Sequence, residues 1–167
     1  VPADVNGDGR TDPLSPNNSR SPVSPLIGNG NGTFLPANGY ATGFTPSSLA
    51  LADISGDGKL DVVTANNAGA NISVLKGVGD GTFLALQNFA TGSTPFAVVS
   101  ADFNGDGRAD VATANLSGSS SCLLNTGTWG IVNTQPARAT VTTGAAASFT
   151  ISTAGNITVY RWRRDGV

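Results

Sequence analysis

The sequence repeats itself with a period of 49 residues. Asp4-Val-Asn-Gly-Asp-Gly-Arg-Thr-Asp12 returns as Asp53-Ile-Ser-Gly-Asp-Gly-Lys-Leu-Asp61 and again as Asp102-Phe-Asn-Gly-Asp-Gly-Arg-Ala-Asp110. Other landmarks keep the step. Gly28-Asn-Gly-Asn-Gly-Thr-Phe34 recurs as Gly77-Val-Gly-Asp-Gly-Thr-Phe83, and Thr45-Pro46 recurs as Thr94-Pro95. A fixed period of this size marks stacked supersecondary units, none of which can bury its apolar faces alone.

Within the middle unit the pattern predicts four short strands, over 48–53, 61–66, 72–76 and 83–89, each bounded by Gly, Asn or Pro. Composition agrees. Gly numbers 22, all eleven acidic residues are Asp, and there is no Glu and no Met, so turn formers abound and helix formers are scarce. Four strands in about 40–50 residues make a propeller blade. The predicted fold is therefore all-β: a partial β-propeller of about three four-stranded blades over 1–134.

Two places depart from the pattern. The first unit carries Pro13 and Pro16 where the second has Val62 and Ala65. Proline removes a ladder donor, so this segment is expected to be an edge strand or no strand. After about Gln135 the repeat stops. Residues 135–167 read as strand, turn, strand, turn, strand, with Tyr160 and Trp162 in the third, and predict the first strands of an immunoglobulin-like β-sandwich.

Several chemistries are excluded. With no His there is no Ser-His-Asp triad and no His-ligated zinc or iron. The single cysteine, Cys122, can form neither an internal disulfide nor a thiolate cage and reads as a small buried hydrophobe. A formal net charge of −2 argues against nucleic acid, and no apolar run approaches the roughly 20 residues of a membrane helix. The opening Val1-Pro2-Ala3-Asp4 predicts a piece of a longer chain. Outside the repeated loops only Asp80 and Asp165 carry carboxylates, too few and too separate for a hydrolase pair, so a non-catalytic role is expected.

The loops concentrate what charge there is. Nine of the eleven Asp lie within them, three in each nine-residue loop. Three carboxylates so crowded repel each other unless a cation sits among them. Side-chain oxygens stand at positions 1, 3, 5 and 9, position 7 can offer a carbonyl, and Gly9, Gly58 and Gly107 at position 6 allow a sharp turn. A hard ion taking six to eight oxygens suits this set, and Ca²⁺ suits it better than the stricter Mg²⁺. An EF-hand would carry Glu at position 12, whereas here that position is Ser15, Thr64 and Thr113. The last carboxylate is expected from position 9 instead.

With its G-x-G-x-G-T-F turn and following strands, the loop motif resembles the FG-GAP/VCBS repeat, the calcium-binding blade of integrin-α-like propellers. The resemblance covers roughly residues 1–130 and implies about three Ca²⁺, one per loop. By position it implies the ligand sets Asp4, Asn6, Asp8, the Arg10 carbonyl and Asp12; Asp53, Ser55, Asp57, the Lys59 carbonyl and Asp61; and Asp102, Asn104, Asp106, the Arg108 carbonyl and Asp110. It further implies an extracellular or cell-surface module that uses Ca²⁺ structurally in adhesion or in binding a protein or carbohydrate, with further blades of the parent chain as partners. The alternative is a non-catalytic propeller segment of a secreted carbohydrate-active enzyme or lectin.

Overall fold

The computed structural model describes residues 1–17 and 22–127, together with the backbone of 131–134. Among the described residues there is no helix. The strands are β1 (Pro2–Ala3), β2 (Asp12–Pro16), β3 (Pro22–Pro25), β4 (Tyr40–Ala41), β5 (Pro46–Ala52), β6 (Asp61–Asn66), β7 (Asn71–Leu75), β8 (Gln87–Ala90), β9 (Pro95–Ala101), β10 (Asp110–Asn115), β11 (Ser119–Asn125) and β12 (Ile131–Thr134). They form three four-stranded antiparallel meanders: β1 to β4, β5 to β8 and β9 to β12, one per repeat. The immunoglobulin-like expectation for 135–167 lies outside the described residues.

Period-two alternation explains how the sheets stack. On one face of the second sheet, Leu49, Val62 and Leu75 join Val5, Leu14 and Val23 of the first sheet, with Phe83, in one core. On the other face, Ile54, Val63, Ala65, Ile72 and Val74 join Val98, Val111 and Leu123 of the third sheet in another. Adjacent residues Val62 and Val63 thus serve different cores, and every residue of β6 is buried. A strand covered on both faces reads Val-Val-Thr-Ala instead of alternating with polar residues. The Tyr40 ring of the first sheet meets Phe83 edge-on at 5.3 Å between centroids, a geometry favoured by the ring quadrupoles.

A polar column runs through two of the sheets. Asn66, fully buried, accepts from Thr64 Oγ1 and donates to Asn71 Oδ1 and Ser73 Oγ. In the third sheet Asn115 repeats this with Thr113, Ser119 and Ser121. Gly43 and Gly92 close the columns by donating their amides to Ser73 and Ser121. Buried amides of this kind must be satisfied, and here the side-chain partners of Asn66 and Asn115 come from their own sheets.

Two expectations need correcting. The proline-bearing segment is neither an edge nor a loop: β2 is an inner strand, paired with β1 and β3. Pro13 sits where no ladder donor is needed. The Pro13 carbonyl accepts from Leu26, so its nitrogen faces β3 just beyond the end of that strand. Pro16 lies on the side of β2 that faces β1, two residues beyond the Val1–Leu14 pair. The predicted strand over 83–89 starts later, at Gln87, because Phe83 pairs only as an isolated bridge with Gly77.

Because the second sheet is covered on both faces, its amides should exchange slowest. Hydrogen exchange is expected to protect β6 and β7 most, with β4 and β8 opening first. Uniform protection across the three sheets would contradict this packing.

Candidate metal-binding loops

The three loops connect the first and second strand of each sheet and share one backbone design. Gly at loop positions 4 and 6 takes left-handed φ in all of them, for instance 73° at Gly56 and 81° at Gly58. Only the position 6 glycine was anticipated from the sequence. This alternation aims successive amides at the first carboxylate. Asp53 accepts from Gly56 at 2.6 Å, Asp57 at 3.1 Å and Gly58 at 2.7 Å. Asp4 accepts from Asn6, Gly7 and Gly9, and Asp102 from Gly105, Asp106 and Gly107. The Gly9 and Gly107 amides above all hold Asp4 and Asp102 below the ordinary carboxylate range.

Position 9 is different in kind. Asp12, Asp61 and Asp110 are completely buried. One oxygen of Asp61 accepts from Ile54 at 2.9 Å and Ser55 at 2.8 Å, and the other accepts from Gly77 at 2.8 Å. Asp12 takes Val5 and Gly28, and Asp110 takes Phe103 and Asn125. Each carboxylate therefore ties its loop to the turn that follows the third strand. Gly77 is obligatory in that arrangement, since a Cβ there would collide with the Leu60 carbonyl oxygen. Burial pushes the Asp61 carboxyl up, against the three amides, and the charge of Asp53 adds to the rise. Asp110 is raised the same way, with Asp106 and Asp102 adding.

The loop carboxylates thus act on one another through space, and the buried member carries an electrostatic cost that a nearby cation would offset. The remaining positions are arranged as follows. Asn6 and Asn104 accept from the amides of Asp8 and Asp106. The position 5 carboxylates face basic side chains: Asp8 meets Arg10 at 3.6 Å, Asp57 meets Lys76 at 2.9 Å and Asp106 meets Arg108 at 3.1 Å. The Lys76 ammonium is the main cause that holds Asp57 below its usual range. Ser55 Oγ, at position 3 of the middle loop, is the one buried side-chain oxygen or nitrogen among the described residues without a hydrogen-bond partner. It still lies near enough to Asp57 to help lower that carboxyl. Its geometry falls short of a hydrogen bond.

The donor chemistry fits a hard divalent ion: Asp, Asn or Ser, Asp, a carbonyl and Asp, with one unpartnered oxygen among them. The convergence is incomplete, however. Among the described residues no three acidic side chains gather closely enough to hold an ion, and each position 5 carboxylate is paired with a basic side chain. Position 12 is engaged elsewhere, with Thr64 and Thr113 bonding Asn66 and Asn115 and Ser15 bonding the Pro16 carbonyl.

The Gly-rich turns fold on themselves. Asp80 accepts from the amide and hydroxyl of Thr82, and Asn31 does the same for Thr33. Cys122 is half-buried, and burial raises its thiol pKa. The position 9 staple yields a direct test. Asp61→Asn keeps the shape but replaces an acceptor oxygen with an NH₂ group, leaving a buried amide opposed to a donor. It should destabilise the calcium-free protein by about 2–4 kcal/mol. Asp57→Asn, on the exposed rim, should leave the calcium-free urea midpoint nearly unchanged. Equal effects of the two substitutions would refute the staple.

Comparison with known proteins gives the repeat its place. A family model described as the FG-GAP-like repeat matches residues 4–64 and 53–113. No curated protein matches the chain. Among solved structures, a lectin from Agrocybe aegerita, described by its specific recognition of non-reducing terminal N-acetylglucosamine, is 27% identical with a TM-score of 0.54. That match covers 78% of this chain and 35% of the lectin chain, so the present chain spans about a third of the lectin's length. The two family matches overlap and advance by the repeat period, and together they cover more than half of the residues. The chain belongs to the FG-GAP-like repeat family.

Proposed function

We propose that this chain is a calcium-stabilised, non-catalytic segment of a propeller that binds carbohydrate at the cell exterior. The observation that carries the calcium half is the buried position 9 carboxylate, which at Asp61 and Asp110 is raised in pKa by burial and, to a lesser degree, by the charge of its loop neighbours, while amides fill its oxygens. A divalent ion held by Asp53, Ser55, Asp57, the Lys59 carbonyl and Asp61 would neutralise that crowding and give the Ser55 hydroxyl a partner. The first loop would use Asp4, Asn6, Asp8, the Arg10 carbonyl and Asp12. The third would use Asp102, Asn104, Asp106, the Arg108 carbonyl and Asp110. The pairs with Arg10 and Arg108 compete only weakly, since exposed monovalent pairs are screened by water and salt. Ca²⁺ here contributes rigidity and no reaction step.

The carbohydrate half rests on the likeness to the lectin. The absence of His and Glu from the sequence supports a binding role over catalysis. Membership of the FG-GAP-like repeat family supports a place outside the cell.

Calorimetric titration should find about three Ca²⁺ per chain. Binding confined to the folded state should add about 2.7 kcal/mol per independent site when free Ca²⁺ is 100 times the dissociation constant. Because the ligands must be ionised, this gain should shrink as the medium is acidified toward the ordinary carboxylate range. No heat and no shift in melting would overturn the calcium reading.

Asp61→Ala should weaken the middle site far more than Thr64→Ala. The reverse order would place the last ligand at position 12. On a glycan array, terminal N-acetylglucosamine is the first ligand to test, and silence toward all glycans would remove the carbohydrate half alone.

A further inference from the structure

The middle loop balances its charge differently from the other two. In the first and third loops the position 5 carboxylate meets the guanidinium two residues on, Asp8 with Arg10 and Asp106 with Arg108. Those arginine side chains are 54% and 50% exposed. The middle loop has Lys59 at the arginine position, and Lys59 is turned to other work. Its stem passes over Gly79, where an added Cβ would come within 3.0 Å of Lys59 Cδ. Thr82 is the main cause that holds the nearby Asp80 carboxyl below its ordinary range, and the Lys59 charge adds to it. One repeat earlier the place of Asp80 is taken by Asn31, which carries no charge.

Asp57 is answered from outside its loop. Lys76, the residue after β7, brings its ammonium to Asp57 Oδ2 at 2.9 Å, the shortest of the three ion pairs, with side chains only 29% and 28% exposed. Asp57 Oδ1 accepts from the Lys59 amide, so both oxygens are engaged. The other units have no counterpart, because the positions one repeat away from Lys76 are Ile27 and Asn125. Ile27 packs against the core between the first two sheets, and Asn125 Nδ2 donates to the Ile54 and Ala109 carbonyls at 2.7 Å and 3.2 Å. Position 3 departs as well. Asn6 and Asn104 hold the position 5 amide with their side-chain oxygens. In the middle loop that amide goes to Asp53, and the Ser55 hydroxyl is buried without a hydrogen-bond partner.

We infer that Lys76 is a built-in counter-charge for the middle loop, which makes this loop the weakest of the three for calcium and the last to fill. The inference rests on the calcium reading above and adds an order of occupation to it. For Ca²⁺ to take Asp57, the ammonium must give up its carboxylate, and it then stays close as a like charge. The guanidinium pairs of the outer loops impose less, since water and salt screen them. A pair whose members are both largely withdrawn from water is held more firmly. The array would then answer calcium in two steps, with the outer loops set at low concentrations and the middle one only at higher ones. Ser55 acts in the same direction by offering a hydroxyl where its counterparts offer an amide carbonyl, so the charge of Lys76 has to be tested on its own.

Two-dimensional NMR of the 167-residue chain during a Ca²⁺ titration does this, with the position 6 amides of Gly9, Gly58 and Gly107 reporting on the three loops. In the wild type, Gly9 and Gly107 should move first, and Gly58 at about tenfold higher free Ca²⁺. Lys76→Met keeps a long unbranched stem and removes the charge. It should lower the Gly58 midpoint about tenfold and leave those of Gly9 and Gly107 in place. Lys76→Gln, a second neutral variant, should do the same, whereas Lys76→Arg keeps the charge and should keep the midpoint high. Equal midpoints in the wild type, a Gly58 midpoint unmoved by either neutral variant, or a Lys76→Arg midpoint as low as that of Lys76→Met would each overturn the inference and leave three calcium sites standing. Signals that ignore Ca²⁺ at all three loops would overturn the calcium reading itself, and the role of Lys76 with it.

Discussion

A buried carboxylate that collects backbone amides is the constraint on which each unit rests. Asp12, Asp61 and Asp110 each reach from the start of a second strand to two distant pieces of chain. One is the second residue of the loop just before it. The other is the turn 15 or 16 residues after it. A four-stranded meander of this size has no helix to brace it, and its outer connections are rich in Gly. Charge-assisted bonds from a carboxylate to amides are among the stronger ones available, and in a dry setting they are directional as well. The cost is a desolvated negative charge, visible in the raised carboxyls of Asp61 and Asp110. The loop architecture places further negative charge beside it, so the same feature that braces the unit also makes it receptive to a cation.

Much of the fold was legible because the repeat supplies its own alignment. Once three loops are set in register, the strand between the loop and the next turn falls at residues 61–66, and the structure places β6 there. The first unit misled for an instructive reason. Proline forbids a ladder only where the ladder runs, and Pro13 directs its nitrogen to a stretch where β3 has already ended. That depends on strand lengths, which local sequence does not encode. The late start of β8 is a similar case, because Phe83 serves a core between sheets and the backbone around it gives up pairing.

The loops were legible as a concentration of oxygen donors, but the division of labour inside them was not. From sequence, position 9 reads as one more ligand of an ion. Its structural duty depends on Gly28, Gly77 and Asn125, which are far away along the chain and differ in type. The Thr-Ala-Asn triplets at 64–66 and 113–115 read, from sequence, as ordinary strand. Their signal was present, since an Asn recurring one period apart inside an apolar strand needs buried partners, and Thr64, Asn71 and Ser73 provide them.

The peptide at loop position 2 has a consequence for how such arrays arise. Its amide bonds the carboxylate of its own unit, and its carbonyl bonds the following one. On the side of the loop residue both links use main-chain atoms, and the apolar side chains of Val5 and Ile54 are left to enter the cores. A duplicated copy of the gene segment would therefore bring its complete brace with it and find a docking point already waiting on its predecessor. An array assembled this way can lengthen, shorten or diverge by whole units without first evolving a new joint.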